Sequence, residues 1–125
     1  MARILVVDDE EDIRELMSDQ LSLEGFEVLL AANGSEALDL LAKNEVDLVI
    51  SDVRMPVLGG GELLRQLCNQ ERRPPVFLMS GYSDFDFDSA IQAGAEYFFD
   101  KPIAMNALIE KIQAKLQPST ESPAP

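Results

Sequence analysis

Five side chains, Asp8, Asp9, Asp52, Ser80 and Lys101, form a set that could manage a phosphoryl group. Carboxylates bind a hard divalent cation, one of them can attack an electrophilic phosphorus, and a hydroxyl and an ammonium can bond or neutralise the oxygens of the transferred group. Each stands at the end of a short apolar run. Asp8 and Asp9 close Ile4-Leu5-Val6-Val7, Asp52 closes Leu48-Val49-Ile50-Ser51, Ser80 closes Val76-Phe77-Leu78-Met79, and Lys101-Pro102 follows Tyr97-Phe98-Phe99-Asp100. If these runs are strands of one sheet, all five side chains gather at one edge of it.

The chain between them supports that arrangement. Runs at about 3–8, 26–32, 47–52, 75–80 and 96–100 read as strands, and several are apolar throughout, as strands covered on both faces should be. Amphipathic segments alternate with them. Ile13, Leu16, Met17 and Leu21 mark a first helix ending at Gly25, a residue suited to the left-handed conformation. Leu38, Leu41 and Ala42 mark a second, after the turn signal Asn33-Gly34-Ser35. Leu63, Leu64 and Leu67 mark a third, stopped by Pro74-Pro75. The fourth, within Ser83 to Ala93, is rich in Asp and Phe early on and is expected to begin with an irregular turn. Met105, Leu108, Ile109, Ile112 and Leu116 form the fifth. Strict alternation of five strands and five helices predicts an α/β fold, a doubly wound three-layer sandwich on a parallel sheet.

At 125 residues and 46% hydrophobic composition, one domain with one core is expected. The formal charge of -13 argues against a nucleic-acid-binding surface, because a duplex is held largely by Lys and Arg. With no histidine, Ser-His-Asp and Cys-His catalysis and His-ligated zinc have no residues here. The lone Cys68 excludes an internal disulfide, suits a reducing compartment and reads as a packed or half-exposed thiol. No apolar stretch approaches the roughly 20 residues of a membrane span, so a cytoplasmic location is the expectation. Pro118 to Pro125 lacks apolar periodicity and reads as a flexible tail or the start of a linker after a domain covering 1–117.

Taken in order, these pieces resemble the receiver domain of bacterial two-component response regulators. The resemblance runs from Ile4 to Leu116. It rests on Leu5-Val6-Val7-Asp8-Asp9-Glu10, Asp52-Val53-Arg54-Met55-Pro56 with Gly60, Ser80-Gly81-Tyr82, and Gly94-Ala95 leading into Lys101-Pro102. It implies a flavodoxin-like (βα)5 fold with strand order 2-1-3-4-5, in which Asp8, Asp9 and Asp52 converge at the topological switch point. Carboxylates held that close raise one another's pKa unless a cation offsets the repulsion.

The resemblance further implies roles. Asp52 would be the phosphoacceptor. Asp9 and Asp52 would bind Mg²⁺ (or Mn²⁺) directly and Asp8 through water, with the backbone carbonyl of Arg54 completing the set. Lys101, aimed by a cis bond to Pro102, would neutralise the phosphoryl oxygens, and Ser80 would bond one of them once the acyl phosphate exists. Phe98 would be the aromatic that follows Ser80 inward, and Arg54 and Tyr82 would flank the path of the hydrolytic water and prolong the phosphate's life.

Implied partners are a sensor histidine kinase or phosphotransfer protein as donor. An output domain, a target or a second copy would dock on the face of the fourth helix, fifth strand and fifth helix. The domain would be a signalling switch acting on no external metabolite, with no nucleic-acid or membrane contact of its own.

Three positions and one stretch vary from the family's usual pattern. Gly59 stands where an acidic residue is frequent and is expected to loosen its loop. Ser80 replaces an equally common threonine, and Phe98 a frequent tyrosine. The stretch from Ser80 to Gly94 is about one residue short, which bears on the start of the fourth helix. Two other readings compete. A phosphatase of the haloacid dehalogenase type needs an acid two residues after its nucleophile, where this chain has Arg54. A receiver-like interaction module that is never phosphorylated would usually have lost one of the five site residues, and all are present.

Overall fold

The computed structural model describes residues 2–55, 57–70, 73–81, 87–101 and 103–116. Its strands are β1 (Arg3–Val7), β2 (Glu27–Ala31), β3 (Leu48–Asp52), β4 (Val76–Ser80) and β5 (Tyr97–Asp100). Between and after them lie helices α1 (Glu11–Leu23), α2 (Gly34–Lys43), α3 (Gly60–Cys68), α4 (Phe87–Gln92) and α5 (Met105–Leu116). All pairings are parallel and the sheet order is β2-β1-β3-β4-β5. The expected order and alternation are therefore present.

Strand geometry sorts the core into two layers, because successive side chains leave opposite faces of a sheet. Leu5, Val7, Val49, Val76, Leu78 and Phe98 pack with Ala37 of α2, Leu63, Leu64 and Leu67 of α3, and Ala90 of α4. Ile4, Val6, Leu48, Ile50, Phe77 and Met79 pack with Met17 and Leu21 of α1 and Leu108 and Ile112 of α5. Every residue of β3 and β4 is buried, which is why those runs read as uniformly apolar.

Local signals fix the helix ends. Asn33 Oδ1 accepts from the Glu36 amide at 2.9 Å while Glu36 Oε1 accepts from Ala32 N at 2.8 Å, a reciprocal cap of α2. Gly25 adopts φ +93 after α1, the left-handed turn expected of it. Three packing expectations need correction. Leu16 is 48% exposed, since Met17 and Leu21 carry the buried stripe of α1; Leu16 instead borders an open apolar recess with Ile13, Ile103 and Met105. In α2 the inward small residue is Ala37, and Ala42 faces solvent. Cys68 is exposed rather than packed, its thiol 3.6 Å from the Ala93 carbonyl. The described part of the fourth helix begins at Phe87; Tyr82 and the expected irregular first turn lie outside the described residues, as do Pro56, Pro102 and the 118–125 tail. No helix among the described residues is long and apolar enough to cross a membrane.

Gly60 is where α3 meets β3. A Cβ there would lie 2.2 Å from the Asp52 carbonyl oxygen and 3.0 Å from Ser51 Oγ, while its amide donates to Val53 O at 2.9 Å. Gly61, one residue on, has open space around the same position. Gly60→Ala is expected to destabilise the fold by about 1–3 kcal/mol through overpacking on backbone. Gly61→Ala should be neutral or stabilising by up to about 1 kcal/mol, since alanine favours helix. Urea unfolding of the two variants checks the contrast; equal midpoints would contradict the close approach.

Candidate functional site

Because all strands are parallel, their carboxyl ends share one edge of the sheet, and β1 and β3 are neighbours there. Val7 pairs with Ser51, so the next residues, Asp8 and Asp52, emerge side by side. Asp52 is in register with Met79, and Ser80 with Asp100, which places Ser80 and Lys101 on the adjoining strand ends. The Lys101 amide donates to the Ser80 carbonyl at 3.0 Å, tying the two together through the main chain.

Lys101 crosses back over β4. Its ammonium lies 3.0 Å from Asp52 Oδ2 and 3.2 Å from Asp8 Oδ2. Asp8 is 0% exposed, Ser80 1% and Asp52 5%, whereas Asp9 faces solvent. Asp8 is held on all sides: its amide donates to Ala31 O at 3.1 Å, its Oδ1 accepts from Glu10 N at 2.9 Å, and its carbonyl accepts from Arg14 Nη1 at 2.6 Å. Sequence reasoning did not single out Arg14, whose contact spans six residues and leaves no pattern of its own. One carboxylate oxygen from each of Asp8, Asp9 and Asp52 falls within 4.8 Å of the others.

The electrostatics of the site are consistent with a divalent cation. Burial is the largest influence on Asp52 and raises its pKa above the ordinary carboxylate value; Lys101 and the Arg54 backbone pull it down, and the Asp8 charge pushes it up. Burial lowers the Lys101 pKa, but Asp52 and Asp8 outweigh it and hold the ammonium above its usual value. Asp52 Oδ1 is buried with no hydrogen-bond partner. Three ionised carboxylates against one ammonium leave two negative charges in excess, which one divalent cation balances. An all-oxygen donor set suits Mg²⁺.

Residues 4–113 match the family model described as the response regulator receiver domain. The chain belongs to the response regulator receiver domain family. Among curated relatives of this receiver, regulatory protein AtoC of Escherichia coli is 38% identical over 92% of the chain, and response regulator MprA of a Mycobacterium species is 38% identical over 98% of it. The receiver spans 25% of the length of AtoC and 54% of MprA. Among solved structures it is similar to response regulator TrrA from Thermotoga maritima, determined in complex with Mg²⁺-BeF. That likeness has a TM-score of 0.84 and 37% identity, covering 93% of this chain and 100% of TrrA. A signal receiver domain of a histidine kinase from Syntrophus aciditrophicus gives a TM-score of 0.88 at 30% identity, covering 100% of this chain and 97% of that one. The receiver is a phosphoacceptor signalling domain with the acidic pocket Asp8, Asp9 and Asp52, a switch rather than an enzyme of metabolism, and it implies a cognate histidine kinase.

Proposed function

We propose that the Asp52 carboxylate accepts a phosphoryl group from the phosphohistidine of a sensor kinase or phosphotransfer protein. The observation that carries this is its place at the end of the central strand, 3.0 Å from the Lys101 ammonium and grouped with the carboxylates of Asp8 and Asp9. As the oxygen–phosphorus bond forms, the phosphorus–nitrogen bond to the donor imidazole breaks.

The donor set fits Mg²⁺ (or Mn²⁺): Asp9, Asp52 and the Arg54 carbonyl would hold it directly and Asp8 through water. Bound there, the ion supplies positive charge to the oxygens of the transferring group. Lys101 neutralises the same charge, already placed by its contacts to Asp52 and Asp8. The Ser80 hydroxyl then donates to a phosphoryl oxygen. Phe98, already buried in the core layer that includes Ala90 of α4, rearranges within that layer as Ser80 moves and so remodels the α4-β5-α5 face. An output domain, a target or a second copy reads that face, the residues after 117 serving as tail or linker. Arg54, two residues past the acceptor in sequence, slows hydrolysis.

The test is stoichiometric labelling by a small phosphodonor. We expect one acid- and base-labile phosphate per chain with Mg²⁺ and at least a tenfold lower rate with EDTA, the order of effect of removing electrostatic stabilisation. Label on another residue, or equal labelling with EDTA, would refute the reading.

A further inference from the structure

Resting on the reading that Asp8, Asp9 and Asp52 hold Mg²⁺, we infer that Arg14 is a positioning residue that clamps the peptide between the two adjacent carboxylates. Arg14 lies on the first turn of α1, and its own amide is used by the helix, donating to Glu10 O at 3.1 Å. Its half-buried guanidinium instead reaches out of the helix to the Asp8 carbonyl at 2.6 Å. A charged donor makes a stronger bond than a neutral one, and the short distance agrees.

The consequence follows from peptide geometry. The Asp8 carbonyl and the Asp9 amide belong to one rigid plane, so holding the carbonyl restrains ψ of Asp8 and φ of Asp9 together. Those two angles set where both carboxylates project. For Asp8 the restraint is shared with Ala31, Glu10 and Lys101. Asp9 has no such help: its carboxylate is exposed and makes no hydrogen bond or ion pair with the described residues. Its aim toward the other two carboxylates therefore depends on the backbone that Arg14 holds.

Outer contacts that orient metal ligands typically change affinity about 10–100-fold. Simple charge predicts the opposite sign, because removing a cation beside an acidic site should tighten binding of another cation. That opposition makes the test decisive. We would titrate Mg²⁺ into the unaltered chain, Arg14→Gln, Arg14→Lys and a distant control, Arg65→Gln, by calorimetry and by the amide shifts of Asp8 to Glu10. Arg65 sits on the solvent side of α3 in an ion pair with Glu62. We expect Arg14→Gln to weaken Mg²⁺ by roughly tenfold or more, Arg14→Lys to recover part of the loss, and Arg65→Gln to match the parent. Unchanged or tighter binding in Arg14→Gln overturns the proposal alone, whereas no Mg²⁺ binding by the parent overturns the metal-site reading beneath it. On the unaltered protein, a through-hydrogen-bond coupling from the Arg14 guanidinium to the Asp8 carbonyl carbon is expected, and its absence overturns the proposal without any variant.

Discussion

Asp52→Asn is expected to reduce phosphoryl incorporation to background while making the metal-free fold more stable. The first effect follows from replacing the carboxylate that faces Lys101 at the end of the central strand with an amide, which is not a nucleophile toward phosphorus. The second has a separate cause. A carboxyl whose pKa is higher in the folded chain than in the unfolded one binds more protons when folded. For Asp52, whose ordinary value is 3.8, burial raises the folded pKa, so stability is greatest in acid and declines as pH rises from 3.8 through the raised value. An uncharged asparagine removes that decline. At neutral pH without metal, we expect Asp52→Asn to unfold at a higher temperature than the parent, because a buried negative charge beside Asp8 is gone. Saturating Mg²⁺ should offset or reverse that gain by stabilising the parent, by about 2.7 kcal/mol at a hundredfold excess over Kd. Thermal unfolding with and without Mg²⁺ checks both signs, and a less stable metal-free Asp52→Asn would contradict the electrostatic account.

Asp9→Ala and Lys101→Met should separate metal binding from transfer. Asp9 is the exposed member of the carboxylate group, and losing one of three anionic ligands is expected to weaken Mg²⁺ by on the order of a hundredfold and labelling with it. Lys101→Met removes a positive charge 3.0 Å from Asp52 and 3.2 Å from Asp8, so Mg²⁺ should bind more tightly than in the parent. Labelling should nevertheless slow by about a hundredfold or more, because the ammonium's stabilisation of the phosphoryl oxygens is gone. Calorimetry and single-turnover labelling on the same samples give the two readouts. If both variants lost metal and rate in parallel, Lys101 would be part of the metal site rather than a partner of the transferred group.

The sheet and the acidic pocket were legible in the sequence because each site residue sits just past a run whose burial leaves no alternative. Leu48 to Ser51 and Val76 to Met79 are buried, so no period-2 or period-3.6 pattern competes, and the residue after each run, Asp52 or Ser80, reaches the edge. Helix faces were harder to read. Leu16 and Met17 are adjacent and equally apolar, and only the packing of α1 on the sheet decides that Met17 goes in. The need for glycine at position 60 depends on an approach to Asp52 from eight residues back, and the Arg14 contact on a turn between β1 and α1. Neither leaves a local trace. The described α4 has only six residues, too few for an apolar stripe to declare itself, so its start could not be placed from periodicity.

The close approach at Gly60 makes the pocket mechanically lopsided. On one side, the acceptor's own main chain is wedged: the Asp52 carbonyl takes the Ser51 hydroxyl at 2.9 Å, α3 begins against it, and Val53 is bonded to both Met79 and Gly60. Asp52 therefore behaves as an anvil, unable to recoil when a charged group is set upon it. On the other side, Ser80 ends β4 and Lys101 follows β5, the four-residue edge strand, with α5 packed on one face of these strands and the described turns of α4 on the other. In the proposed switch, a charge set on Asp52 is therefore answered on the Ser80 and Lys101 side, and the close approach at Gly60 gives that movement its direction.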